Sequence, residues 1–218
     1  MESWPGVPLS ARLTDASIAH AAAECVRMQE RIGDVRCLRP ALPRLDAVAL
    51  TRWSRDIVDP SRDRQATDAI DRAVDDVVAA GFADRWLPLD LDPANILLDD
   101  QDRVAVIDLD DSFVGPAPLA AAPLVRRVRA RARRGATASG ADVVRVAYER
   151  MSQRPMTPRL WKALDTLAVV IEARLACQRL ETGRARGALQ GPVDILVDRI
   201  RTSLVRTVSS TDHFGSSW

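Results

Sequence analysis

Lysine and asparagine are almost missing from this chain. Its 218 residues contain one lysine, Lys162, and one asparagine, Asn95; the other lysine-or-arginine positions are all arginine. The formal net charge is +1, which removes the electrostatic case for a nucleic-acid or membrane-surface partner. No apolar run reaches the roughly 20 residues that span a bilayer. The first residues, MESWPGVPLSARL, carry neither the basic nor the apolar segment of a secretory signal. Cys25, Cys37 and Cys177 are odd in number and widely spaced, which argues against a disulfide framework and for reduced thiols in the cytoplasm. With 47% hydrophobic and 28% charged residues, the composition is globular, and the length suits one good core. No internal repeat or low-complexity linker interrupts it, so a single domain is expected.

Helical periodicity dominates what is present. In TDASIAHAAAECVRMQERIG, Thr14 can cap the first turn and Gly33 close the last, with Ile18, Ala22, Cys25, Met28 and Ile32 on one face. LPRLDAVALTRWSRDIV and RQATDAIDRAVDDVVAAG give two more helices, the second ending at Gly81. TPRLWKALDTLAVVIEARLACQRLETG carries the clearest signals: Thr157 as N-cap, Pro158 at the first helical position and Gly183 past the end. Its stripe is Leu160, Leu164, Leu167, Ile171 and Leu175. ADVVRVAYERM and VDILVDRIRTSLVRTV complete a helical second half, and SSTDHFGSSW is a loose tail.

One region breaks the pattern. LDLDPANILLDDQDRVAVIDLDDS, residues 89–112, holds eight aspartates and the sole asparagine. NILL and RVAVID are short strand-type runs joined by Asp99-Asp100-Gln101-Asp102. If residues 99–102 form the loop, Leu98 pairs with Arg103 and Asn95 faces Val106. Asp108 then lies two positions further along, on the same face as Asn95, about 7–8 Å away at the backbone. Two oxygen ligands so placed suit Mg²⁺. Asp90 precedes Asn95 by five residues, the spacing of a kinase catalytic loop, in which an aspartate orients the acceptor hydroxyl and an asparagine holds metal.

The stretch PLDLDPANIL followed by VAVIDLDDS resembles the aminoglycoside phosphotransferases and related small-molecule kinases, which share the protein-kinase fold. The resemblance extends to ESWPGVPLSARL, similar to the segment after the interlobe hinge, and to VAYERMSQRPMTPRLWKALDTLAVVIEARL, similar to the family's C-terminal helices. It implies a mainly α (α+β) fold: a kinase-like C-terminal lobe over residues 1–206 with one small β-hairpin, and a tail over 207–218. It implies Asp90 as the catalytic base, Asn95 and Asp108 as Mg²⁺ ligands and nucleotide contacts, ATP as donor and a hydroxyl of a small molecule as acceptor.

The chain departs from the family pattern at several points. No Gly-rich loop precedes residue 90, and Lys162 lies in an expected helix as a solvated side chain, so the N-lobe is absent from these residues. Pro88, Leu89 and Asp92 stand where the family usually has His, Gly and His. No aspartate occurs between Asp111 and Asp142, where the family tethers its catalytic loop. Little or no activity is therefore expected of the chain alone, with a separate N-lobe or a second copy as candidate partner. Two alternatives stay open: a non-catalytic kinase-like binding module, and a haloacid-dehalogenase-type phosphatase with Asp108 as nucleophile and Asp110 as acid/base, which requires parallel strands after the motif. VRRVRARARRG reads as a solvated helix without interleaved aromatics, and His20 and His213 as neither ligands nor bases.

Overall fold

The computed structural model describes residues 6–32, 42–132, 140–152, 156–185 and 193–211. Gly33, Cys37, His213 and the end of the arginine-rich run lie outside them. Two compact units divide the chain: one from Met1–Arg44 with Phe82–Thr157, the other from Leu45–Gly81 with Pro158–Trp218. No helix among the described residues is long and apolar enough to cross a membrane.

The first unit contains β1 (Val7–Pro8), a short 3-10 turn (Leu9–Ala11), α1 (Asp15–Ile32), β2 (Asp84–Pro88), β3 (Ile96–Leu98), β4 (Val104–Val106) and β5 (Ser112–Pro116). A second 3-10 turn (Ala117–Ala120), α4 (Ala121–Ala132) and α5 (Gly140–Ser152) follow. α1 starts as expected. Thr14 Oγ1 accepts from the Ser17 amide at 3.1 Å and Ser17 Oγ accepts from the Thr14 amide at 3.0 Å, a reciprocal cap that satisfies amides the helix leaves open.

The strands are more numerous than a single hairpin. β1, β3 and β4 form one antiparallel sheet in that order, and β2 pairs antiparallel with β5 from Asp84↔Pro116 to Pro88↔Ser112. The second pair is hard to read because DRWLP and SFVGP are short and end in proline. Proline is tolerated at those strand ends, where a missing N–H need not break the ladder. Beyond β5 the described chain is helical, which removes the dehalogenase-type alternative and its parallel strands.

Among the described residues the second unit has four helices: α2 (Ala47–Ile57), α3 (Arg64–Ala79), α6 (Pro158–Ala185) and α7 (Val193–Thr211). Asp46 caps α2 by accepting from the Ala49 amide at 2.9 Å, and Gly81 adopts φ +61° after α3, the left-handed closure that glycine permits. α6 buries Leu164, Leu167, Ala168, Val170 and Ile171 completely, so it is the element around which α2, α3 and α7 pack. Gly183 does not end α6. Cys177 and Val197 form a buried contact with Leu180 and Ile200 against it, which anchors the turns before Gly183, and a glycine inside a helix costs only roughly 1 kcal/mol. α7 likewise continues to Thr211, past the boundary expected at 207, with Leu204 and Val208 buried.

A buried carboxamide joins the elements of the first unit. Gln29 on α1 is 2% exposed. Its Nε2 donates to the Trp86 carbonyl at 2.9 Å and the Ala117 carbonyl at 3.4 Å, and its Oε1 accepts from Tyr148 Oη on α5 at 3.3 Å. Beside it, burial pushes the Cys25 thiol up to about 12. Tyr148→Phe should lower stability by about 1 kcal/mol, and Gln29→Ala by about 1–3 kcal/mol because it also strands the carbonyls; denaturant midpoints measure both. Cys25 should resist alkylation at pH 7.5 in the folded chain and react on unfolding, since its thiolate is scarce below the raised value; mass spectrometry after iodoacetamide treatment reads this directly.

Candidate functional site

The hairpin forms, but with a register one residue from that expected. The pairs are Ile96↔Val106, Leu97↔Ala105 and Leu98↔Val104, and the Ile107 amide donates to the Asn95 carbonyl at 2.9 Å. Asn95 therefore lies opposite Ile107 rather than Val106. The reason is the turn. Asp99 and Arg103 close it, with the Asp99 amide donating to the Arg103 carbonyl at 3.1 Å. Asp102 takes φ +56°, as in a three-residue loop ending in a left-handed residue, a conformation aspartate tolerates without glycine. Asp99, 4% exposed, organises the loop: its Oδ1 accepts from the Gln101 and Arg103 amides at 2.9 and 2.8 Å, and its Oδ2 from Arg103 Nε at 2.5 Å. His20 Nε2 on α1 donates to the Asp102 carbonyl at 2.5 Å, so this histidine is a brace for the turn.

The segment before the hairpin positions Asp90 by alternation. Leu87, Leu89 and Leu91 are fully buried, and Asp90 and Asp92 come between and after them. The Leu89 amide donates to the Asp111 carbonyl at 3.1 Å, continuing the β2–β5 pairing, and the Ser10 amide donates to the Pro93 carbonyl at 2.9 Å. The loop then turns tightly: Asp92 N–H to the Asp90 carbonyl at 2.7 Å, Asn95 N–H to the Asp92 carbonyl at 2.7 Å, and Ala94 N–H to Asp92 Oδ1 at 2.7 Å.

This turn brings Asp90 and Asn95 together. Asn95 Nδ2 donates to both the main-chain carbonyl and Oδ2 of Asp90 at 3.2 Å. A residue not singled out from the sequence completes the cluster. Arg127 on α4 donates from Nη1 to Asp90 Oδ1 at 2.6 Å, and its Nε lies 3.8 Å from Asp92 Oδ2. The Arg127 and Asp90 side chains are 21% and 10% exposed. The arginine-rich run is thus not wholly a solvated face. Its spacing is uniform enough that nothing in the sequence separates Arg127 from its neighbours.

Asp108 stands apart. It is exposed, has φ +58° and makes no ion pair among the described residues. The left-handed backbone ends the ladder, so period-two alternation no longer sets its side-chain direction. Ser112 Oγ donates to the Leu109 carbonyl at 2.6 Å and closes the turn after it. Among the described residues no three His, Cys, Asp or Glu side chains gather to hold a metal. Asn95, whose side-chain nitrogen donates to Asp90, and the exposed Asp108 each carry an oxygen of the kind Mg²⁺ takes, but the observed register does not set them two positions apart on one face as expected. Mg²⁺ takes one or two carboxylates and completes its shell with water and phosphate. Two depressions of about 110 and 630 Å³ lie in the second unit. Both are lined by charges of both signs, and neither includes Asp90, Asn95 or Asp108.

No protein-family model matches the sequence, and no curated protein matches it. Solved structures do. The choline kinase LicA from Streptococcus pneumoniae matches with a TM-score of 0.62 at 13% identity, over 93% of this chain and 66% of that one. The fold is kinase-like. LicA in complex with AMP matches with a TM-score of 0.55 at 13% identity, over 90% of this chain and 65% of the other. The chain thus spans just under two thirds of the length of these kinases. At this identity the likeness establishes the kinase-like fold and does not single out aminoglycoside phosphotransferases among small-molecule kinases.

Acid should loosen the hairpin first. Burial raises the Asp99 carboxyl, but hydrogen bonds from Arg103 and Gln101 outweigh it and hold the group below its ordinary 3.8. A folded value below the unfolded one means that the contribution is complete at neutral pH and vanishes as pH falls through the folded value. Hairpin amide resonances should hold at pH 5 and fade below about pH 3–4, around the ordinary aspartate value. Asp99→Asn should weaken the hairpin at neutral pH and flatten this dependence.

Proposed function

We propose that this chain is the helical-lobe portion, residues 1–206 with a short tail, of an ATP- and Mg²⁺-dependent phosphotransferase of the aminoglycoside-phosphotransferase kind. Its acceptor is a hydroxyl on a small molecule. The observation that carries the reading is the Asn95 side chain bonded to Asp90 at 3.2 Å, at the base of the ladder that leads to Asp108, within a kinase-like fold. Asp90 orients the acceptor hydroxyl and takes up its proton; Asn95 and Asp108 hold the metal. Mg²⁺ when bound neutralises charge on the phosphate oxygens, which with positioning is most of what this chemistry requires. The cytoplasm suits this reading, because ATP is there and the free, buried Cys25 and Cys177 stay reduced.

The Gly-rich cover and the phosphate-pairing lysine have no counterpart in these 218 residues, so the chain by itself turns over little. A separate nucleotide-covering lobe supplies what is missing; a second copy, which lacks both features itself, could only cover the exposed face. Ile107 and Leu109, 44% and 42% exposed on either side of Asp108, offer such a partner an apolar contact. One observation favours a non-catalytic binding module instead: Arg127 occupies the Asp90 oxygen that Asn95 leaves open.

Calorimetry with AMP and ATP, with and without Mg²⁺, separates the two readings. Nucleotide should bind in a Mg²⁺-dependent way, and Asp108→Ala should weaken that dependence by about 10-fold or more, the scale on which metal-site substitutions act. If nucleotide does not bind with Mg²⁺, the phosphotransferase reading is wrong. ATP turnover with choline and other hydroxylated compounds should sit near background; turnover abolished by Asp90→Ala would show that the chain is active alone.

A further inference from the structure

Arg127 has no assigned role, yet its guanidinium spans two carboxylates of the loop that carries the candidate site. We propose that Arg127 is a positioning residue, tying the Asp90–Asp92 loop to α4 in place of the aspartate tether missing between Asp111 and Asp142. The kinetic consequence rests on the phosphotransferase reading; the tethering does not.

Four observations carry it. α4 is a fixed support, with Ala121, Ala122, Leu124, Val125 and Val128 buried. The contact to Asp90 Oδ1 is short, at 2.6 Å, and both side chains are largely withdrawn from water. The same group faces Asp92 at 3.8 Å, and Asp92 in turn accepts from the Ala94 amide within the loop. Finally, Asn95 engages Asp90 Oδ2 while Arg127 engages Oδ1, so the two hold different oxygens of one carboxylate.

The chemistry selects arginine. Two partly buried carboxylates two residues apart repel, and a cation placed between them offsets that repulsion. A planar guanidinium presents separate N–H groups to both, whereas the compact ammonium of lysine satisfies one at a time. Lysine at this position should therefore restore part of the tether, and methionine, which keeps the apolar stem, should restore none.

Hydrogen exchange of the loop amides tests the tether without any ligand. In Arg127→Met the amides of Asp92, Ala94 and Asn95 should exchange about 10-fold faster or more, as expected for a local opening, with Arg127→Lys intermediate. Interior amides of α4 and α5 should be unchanged. Arg150→Met, which removes the same charge from an exposed position on α5, should leave the loop as in the parent. Unchanged loop protection in Arg127→Met overturns the proposal, and so does acceleration spread evenly through α4 and α5. Mg²⁺-nucleotide binding of the unsubstituted chain is read separately: its absence would end the phosphotransferase reading and leave the tether standing. Where turnover is present, Arg127→Met should reduce kcat about 10-fold or more with nucleotide KM nearly unchanged, the signature of lost positioning rather than lost binding.

Discussion

A carboxylate withdrawn from water must be paired, and the arrangement of the first unit follows from pairing Asp90. Its side chain is 10% exposed, far too little for solvent to carry the charge. The protein answers from two directions. Asn95 arrives because the loop turns sharply at Asp92 and Pro93, and Arg127 arrives on α4, which follows β5 after one short 3-10 turn. The buried leucines at 87, 89 and 91 hold the chain between these two sources of donors. Removing either source would take a donor from a largely buried carboxylate, so the polar cluster and the apolar ladder beneath it depend on each other.

Much of this was legible in the sequence, for identifiable reasons. The helix starts were written in local chemistry: Thr14 and Ser17, and Pro158 at the head of α6, are signals that act within one turn. The hairpin was legible as two strand-forming runs around an acidic turn, and Asp90 and Asn95 as a spaced pair. The register was not, because it depends on how Asp99 folds its own side chain onto the following amides and on Asp102 accepting a left-handed backbone. A run of aspartates does not announce which of them will do so. Gly183 misled for a related reason: a glycine inside a helix costs only about 1 kcal/mol, too little by itself to end an element whose preceding turns are anchored by burial.

The elements that escaped detection share one property: their reason for existing is far away in sequence. β2 and β5 are each short and proline-ended, and become strands by pairing with one another. Gln29 is an ordinary helix former whose importance lies in carbonyls 57 and 88 residues later. Arg127 sits in a run of arginines that are alike in pattern and differ in what faces them. Long-range polar contacts leave almost no trace in periodicity, and functional clusters are made largely of such contacts.

The candidate site treats its two acidic ends differently, and the difference has a chemical sense. On the proposed reading Asp90, held by Asn95 and Arg127, is the group that orients the acceptor. Asp108 is exposed, left-handed and without an ion pair among the described residues; on the same reading it meets its cation when nucleotide brings one. Phosphoryl transfer asks for little covalent participation by the protein, so orientation and charge neutralisation can reside on different elements. On that reading the orienting half is preformed and the neutralising half is completed by what binds it. The exposed Ile107 and Leu109 place the unfinished half where an incoming surface would also find apolar contact.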